Sequence, residues 1–190
     1  MRHYDWAELY QEILSCQNCP LGKTRTNAVP GKGNPRADIL FIGEGPGREE
    51  DQQGLPFVGA AGRLLDKMLA AIELDRDKVY IANVVKCRPP SNRTPLEEEA
   101  AACLPYLRAQ TALIRPKIIV CLGATATRYV YDENARITRD RGVWRVKKGV
   151  WIMPTYHPAA LLRDPAKKKD AWADLQAVRD RIGLLRREEE

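Results

Sequence analysis

The chain has 190 residues, 44% hydrophobic and 29% charged, a balance suited to one globular domain that buries its own core. It contains no run of about 18 apolar residues, which excludes a membrane-spanning helix, and no apolar stretch follows residues 1–6, so no secretory signal is expected. A net charge of +6, from 31 basic and 25 acidic residues, suits a polyanionic partner without requiring one.

The expected compartment is therefore a reducing cytoplasm, where clustered cysteines hold metal more often than they form disulfides. Of the 5 cysteines, Cys16 and Cys19 come first, and their two-residue spacing turns both sulfurs toward one centre. Ile39-Leu40-Phe41-Ile42 is a short apolar run ending at Gly43, the signature of a buried parallel strand. Residues 59–73 carry Leu64, Leu65, Met68, Leu69 and Ile72 at helical spacing. Val79-Tyr80-Ile81-Ala82 predicts a second strand, with Asn83 and then Cys87 behind it. Thr94-Pro95-Leu96-Glu97 predicts a capping box with proline at the first helical position, opening a helix that carries Cys103 and ends at Arg115-Pro116. The run from Ile118 to Leu122 predicts a third strand, and its Cys121 is expected to serve packing. A short helix near Ala124 and a basic, hairpin-like stretch over 137–149 follow. Val150-Trp151-Ile152-Met153 predicts a fourth strand, residues 166–182 a last helix, and 183–190 a loose charged tail on a domain that spans 1–190. Strands alternating with helices predict a parallel sheet covered on both faces, with its site at the carboxyl ends of the strands.

The residues behind the strands carry the chemistry. Gly43-Glu44-Gly45-Pro46-Gly47 permits tight turns, but its spacing is not that of a dinucleotide loop. Pro46 removes an N–H donor, and the acids Glu44, Glu49, Glu50 and Asp51 would repel a pyrophosphate. Asn83 offers one acceptor and two donors, enough to pair with a pyrimidine edge; a lone asparagine also serves as an ordinary turn residue. His157, in Thr155-Tyr156-His157-Pro158, is one of 2 histidines and can donate to a developing anion; the other is His3, in the N-terminal segment. Basic residues crowd 136–148 and recur at Arg163 and Lys167-Lys168-Lys169, either as solvated faces or as phosphate contacts.

In combination these features resemble the family 4, iron–sulfur uracil-DNA glycosylases of prokaryotes. The resemblance runs from Cys16 to Leu162 through Gly43-Glu44-Gly45-Pro46-Gly47, Leu55-Pro56-Phe57-Val58-Gly59, Asn83 to Pro95, and His157-Pro158-Ala159-Ala160-Leu161. It implies a three-layer α/β/α fold with a central four-stranded parallel sheet. The implied activity is DNA repair: uracil is flipped out of DNA and its N-glycosidic bond hydrolysed, leaving an abasic site. Asn83 would read the uracil edge, Phe57 would stack on the base, Glu50 would lie near uracil C5, and Gly45 would line the substrate. Glu44 would position water, and His157 would stabilise the departing anion. The best-known relatives of the superfamily carry a water-orienting aspartate where this chain has Gly45. Leu161 would wedge into the gap in the DNA, and Arg163 and the other basic residues would hold phosphates. Cys16, Cys19, Cys87 and Cys103 would hold a [4Fe-4S] cluster, in a monomer whose partner is uracil-containing DNA. A covalently DNA-trapping branch carries a basic, histidine-containing insertion that the segment from Arg88 to Pro95 lacks, so turnover is expected. The alternative is a non-catalytic nucleic-acid-binding module held together by zinc, since four thiolates suit either metal centre.

Overall fold

The computed structural model describes residues 4–188, so His3 and the last two residues of the expected tail lie outside the described residues. In chain order the elements are α1 (Trp6–Ser15), α2 (Leu21–Thr24), β1 (Lys32–Gly33), β2 (Ile39–Gly43), α3 (Arg48–Gln53), α4 (Ala60–Ala71) and β3 (Tyr80–Asn83). There follow α5 (Glu97–Ile114), β4 (Ile118–Leu122), α6 (Ala124–Ala126), α7 (Ile137–Asp140), β5 (Arg145–Lys147), β6 (Val150–Thr155), α8 (Pro158–Arg163) and α9 (Lys168–Arg187).

The four expected apolar runs pair in parallel in the order β3-β2-β4-β6. The sheet is wider than expected, because β1 and β5 add antiparallel edges to β3 and β6 and make six strands. Along β2 and β4 the side chains alternate between two cores, as the two-residue repeat of a strand requires. Leu40, Ile42, Ile119 and Cys121 face a core shared with Leu9 and Ile13 of α1 and Ala100, Cys103 and Leu107 of α5. Ile39, Phe41, Ile118, Val120 and Leu122 face the other core, with Leu65 and Leu69 of α4, Leu161 of α8 and Leu175 and Val178 of α9. Helices thus cover both faces in three layers, and Cys121 is packing, as expected.

Local chemistry sets the helix boundaries. Helix α1 opens on a capping box in which Asp5 Oδ1 accepts from Glu8 N–H and Glu8 Oε2 accepts from Asp5 N–H. Helix α5 begins later than the Thr94 cap predicts. Leu96 is the cap residue, its N–H bonds to Glu99 Oε2 at 2.8 Å, and Arg93 clamps the same carboxylate at 2.8 and 2.7 Å. Arg115 ends α5 in the left-handed region at φ 54°, just before Pro116. Helix α9 runs past the predicted end at residue 182 to Arg187, so residues 183–187 are helix rather than loose tail. Arg186 secures that end with bonds of 3.0 and 2.8 Å to Asp38 Oδ2.

Register decides where the site falls. Gly43 pairs with Asn83, and Leu122 pairs with Thr155, so all four parallel strands finish at one rim of the sheet. The residues that follow them, Glu44, Val84, Gly123 and Tyr156, start the loops of that rim.

Candidate active site

A pocket of about 600 Å3 opens at this rim and brings together Glu44, Gly45, Glu50, Phe57, Asn83 and His157, with Arg163 at its side. These seven residues, selected from sequence across three separate loops, two helices and a strand end, converge on one space.

Asn83 closes β3 and is buried, at 2% exposure. Its Oδ1 is the buried side-chain polar atom without a hydrogen-bond partner among the described residues. Leaving such an acceptor unmet costs about 1–3 kcal/mol, so the atom is an acceptor waiting for a donor. Gly43 makes room for it: a Cβ there would lie 2.5 Å from Asn83 Oδ1 and 2.6 Å from the Phe57 ring. The amide and the ring therefore both approach the bare face of Gly43. From behind, the Lys86 ammonium donates to the Asn83 carbonyl at 2.8 Å and fixes the strand end.

Phe57 is buried and lies against His157, with ring centroids 5.5 Å apart and planes 28° from parallel. Glu50 lines the pocket as expected, but its Oε1 is occupied by the N–H groups of Val58 and Gly59, each at 2.9 Å. It thus also ties down the loop that carries Phe57.

His157 caps the N-terminus of α8, and its Nδ1 accepts from Ala159 N–H at 3.0 Å. That bond makes Nδ1 the acceptor and leaves the ring proton on Nε2. Burial first, and the Arg163 cation second, push its pKa down from 6.5 to about 4, with Glu50 opposing. The ring is therefore a neutral donor at neutral pH. Gly123, at φ 90°, lets the end of β4 pass close beside it, since a Cβ there would lie 2.9 Å from His157 Cβ.

Glu44 accepts a short hydrogen bond from Thr125 Oγ1, which orients the carboxylate at the pocket wall. Sequence reasoning missed Thr125. Its only signal was position, three residues past the third strand and so close to a strand end, as Asn83 and His157 also are on theirs. Gly45 contributes backbone alone: a Cβ would lie 2.6 Å from Val85 Cγ2, so packing as well as chemistry keeps the position small.

Two expectations need correction. Leu161 does not project from the surface; it is 1% exposed in the core beneath α8, and the leucine that the helix turns outward is Leu162, at 46%. A six-residue helix packed on a sheet buries one face, and Leu161 falls on it. The basic stretch over 136–148 is a free phosphate surface only in part: three of its six basic residues are paired to acids, whereas Arg136 is exposed beside Ile137 and Thr138, which line the pocket. Arg139 pairs with Asp140, Arg141 with Asp174, and Arg145 with Asp132. The turn of its hairpin precedes β6, whereas the pocket follows β6, so the turn lies at the opposite end of the sheet. Arg163 and Lys167 line the pocket too, and Lys168 and Lys169 are exposed beside them.

The four cysteines Cys16, Cys19, Cys87 and Cys103 line a second cavity behind the Asn83 strand end. Among the described residues no three Cys, His, Asp or Glu side chains converge closely enough to hold a single metal ion. Donors do aim at the sulfurs: Arg25 Nη1 to Cys87 Sγ at 3.0 Å, Lys86 N–H to Cys103 Sγ at 3.2 Å, and Asn18 N–H to Cys16 Sγ at 3.5 Å. The fully buried Lys86 ammonium has the neutral Asn83 carbonyl and Gln110 Oε1 as its acceptors, so its positive charge calls for a nearby negative one. Lys86 thereby links the cysteine cavity, which it lines, to Asn83, which lines the pocket.

A model of the uracil-DNA glycosylase superfamily matches residues 30–176. The Type-4 uracil-DNA glycosylase of Sulfurisphaera tokodaii is 50% identical over 182 residues, covering 91% of this chain and 83% of that protein. The Archaeoglobus fulgidus Type-4 uracil-DNA glycosylase is 47% identical over 184 residues, covering 93% and 92%. That of Thermotoga maritima is 50% identical over 158 residues, covering 81% of each.

Proposed function

The chain belongs to the type-4 branch of the uracil-DNA glycosylase superfamily, and on that premise we propose how its pocket selects uracil in DNA and releases it. The observation that carries the reading is the unpartnered Oδ1 of Asn83 at the pocket floor, between the Phe57 ring and Gly43. Uracil presents an N3–H donor beside an O4 acceptor, the complement of a carboxamide. Oδ1 accepts from N3–H, the amide nitrogen donates to O4, and cytosine, with its order of donor and acceptor inverted, leaves these buried groups unmatched.

A base inside a duplex cannot reach this floor, so the enzyme takes it out of the stack, at a cost of a few kcal/mol. Phe57 stacks on the flipped base, and the Glu50 side occupies the space where thymine carries its methyl group. Leu162, exposed on α8, fills the gap in the DNA in place of the buried Leu161. Arg163, Lys167, Lys168 and Lys169 hold flanking phosphates, which makes binding steeply salt-dependent.

The bond between C1′ of the sugar and N1 of uracil then breaks, with both electrons leaving on the base. The neutral His157 donates from Nε2 to uracil O2, where negative charge develops. Glu44, oriented by Thr125, favours the cationic sugar and positions the water that adds to C1′. The water's surplus proton passes to solvent, the departing uracil anion takes one up from solvent, and the products are free uracil and an abasic site. Action as a monomer on cytoplasmic DNA is part of the same proposal.

Cys16, Cys19, Cys87 and Cys103 fit a [4Fe-4S] cluster: the donor set is four thiolates around one cavity, with N–H groups aimed at three of the sulfurs and a buried cation alongside. Bound there, the cluster supplies a cross-link between the N-terminal segment, the loop after β3 and α5, together with a capacity for electron transfer. The hydrolysis above does not pass through it.

The test takes anaerobically purified protein, whose visible absorbance and bound iron report the cluster, and incubates it with matched uracil- and thymine-containing oligonucleotides before alkaline cleavage. The expected result is a brown protein that gives strand breaks at uracil alone. Binding without cleavage would overturn the enzymatic reading, and a colourless, zinc-loaded protein would overturn the cluster.

A further inference from the structure

Phe57 holds its ring in the pocket while its backbone sits at φ 52°, a left-handed conformation that a residue with a side chain adopts only under constraint. The constraint comes from two sides. The Glu50 carboxylate takes the two N–H groups that follow Phe57, those of Val58 and Gly59. On the other side, the Arg76 guanidinium takes the carbonyls of Pro56, at 2.9 Å through Nη1, and of Phe57, in a short bond through Nη2. Its third face is anchored as well, because Nε donates to Asp66 Oδ1 of α4 at 2.6 Å. The carbonyl that Arg76 grips also presses on α4: a Cβ on Gly62 would lie 1.8 Å from Phe57 O. A planar fork with donors at fixed angles suits this task, since one group satisfies two successive carbonyls and a carboxylate at once.

Arg76 is no part of the pocket wall. We propose that it is a positioning residue for base recognition, holding the left-handed turn at Phe57 and thereby the ring against Gly43 and His157. The inference rests on the reading of Phe57 as the wall that stacks on uracil. It adds a residue on the far side of the loop whose only route to the base runs through two main-chain carbonyls. Arg76 cannot act by charge on the base directly. Its loss should slow excision while leaving DNA affinity nearly alone, because phosphate contacts elsewhere carry most of that affinity.

Single-turnover excision on a uracil oligonucleotide separates these effects, giving a maximal rate and a half-saturating enzyme concentration for the wild type, Arg76→Met, Phe57→Ala and the double variant. Arg76→Met should lower the maximal rate about tenfold, with half-saturation nearly unchanged. Combined with Phe57→Ala it should lower the rate little further, since both changes remove the same wall. Arg76→Lys, which keeps the charge and one donor at a time, should recover part of the rate. Should Arg76→Met fail to fold, Asp66→Asn loosens the fork from an exposed helix position, with an expected loss of about threefold, the scale of an exposed ion pair. A rate within twofold of wild type in every folded clamp variant would overturn the inference, as would losses that multiply with those of Phe57→Ala. A wild type that leaves uracil in place would instead overturn the reading of the pocket, and a fully active Phe57→Ala would overturn the wall; the inference falls with either.

Discussion

Asn83 and His157 have complementary defects in their hydrogen bonding, and each defect has a use. Asn83 Oδ1 is a buried acceptor with no partner. His157 has one nitrogen engaged by Ala159 N–H and its proton on the other. Because burial, with Arg163, lowers its pKa to about 4, the donor form persists far below neutrality. Excision by the wild type is therefore expected to hold from pH 8 down to about 5 without the step near 6.5 that an ordinary histidine would give, in a pH profile of the single-turnover rate. A step near 6.5 that disappears in His157→Asn would contradict a depressed value. The same depression links to stability: the unfolded chain takes up the proton first, so the contribution of His157 is complete above about 6.5 and is lost as pH falls toward 4. At this scale much of the site was legible, because Glu44, Asn83 and His157 stand directly at or behind recognisable strands. Thr125 and Arg76 were not. A threonine advertises nothing, and Arg76 works on main-chain carbonyls, which leave no mark on the sequence.

Helix α8 shows what a one-residue difference of phase does. Leu161 points into the core and Leu162 points out, although they are neighbours. Leu161→Ala is expected to lower stability by about 2–5 kcal/mol, read by denaturant unfolding, because it opens a cavity in a packed core. Leu162→Ala should leave stability within about 0.5 kcal/mol and slow excision from duplex more than from single-stranded uracil DNA, since only the duplex leaves a gap to fill. The opposite pattern, a stable but slow Leu161→Ala, would restore Leu161 as the wedge. The sequence could not separate the two, since both are leucines at the end of one motif and the helix phase depends on the sheet beneath. The strands behaved similarly. The four parallel ones were legible as apolar runs buried on both faces. The edges were not, because β1 is two residues long and all three residues of β5 are exposed, so neither carries the apolar repeat that marks a strand. The start of α5 was misplaced because Glu99, held by Arg93, caps Leu96 in a way that no S/T signature encodes.

Over the whole molecule, the sheet separates two jobs. Its carboxyl rim carries the pocket and the cations Arg163 and Lys167, while the basic hairpin turn lies at the far end, next to Arg145, which is paired to Asp132. Charge counted along the chain could not show this, because the acids that neutralise Arg141 and Arg145, Asp174 and Asp132, are 33 and 13 residues away from them. The cysteine cavity lies behind the Asn83 strand end, and Lys86 joins the two through its backbone N–H to Cys103 Sγ and its ammonium to the Asn83 carbonyl. On the proposed reading, binding DNA and breaking its glycosidic bond fall on different parts of one rim and should come apart under substitution. The most direct measurement compares wild type and Asn83→Ala on one uracil oligonucleotide, following single-turnover excision and DNA affinity side by side. With the unpartnered oxygen as the recognition atom, excision falls by about 100-fold or more while affinity changes less than about threefold. Equal losses in both, or excision near the wild-type rate, would show that Asn83 only completes the strand and that uracil is recognised elsewhere.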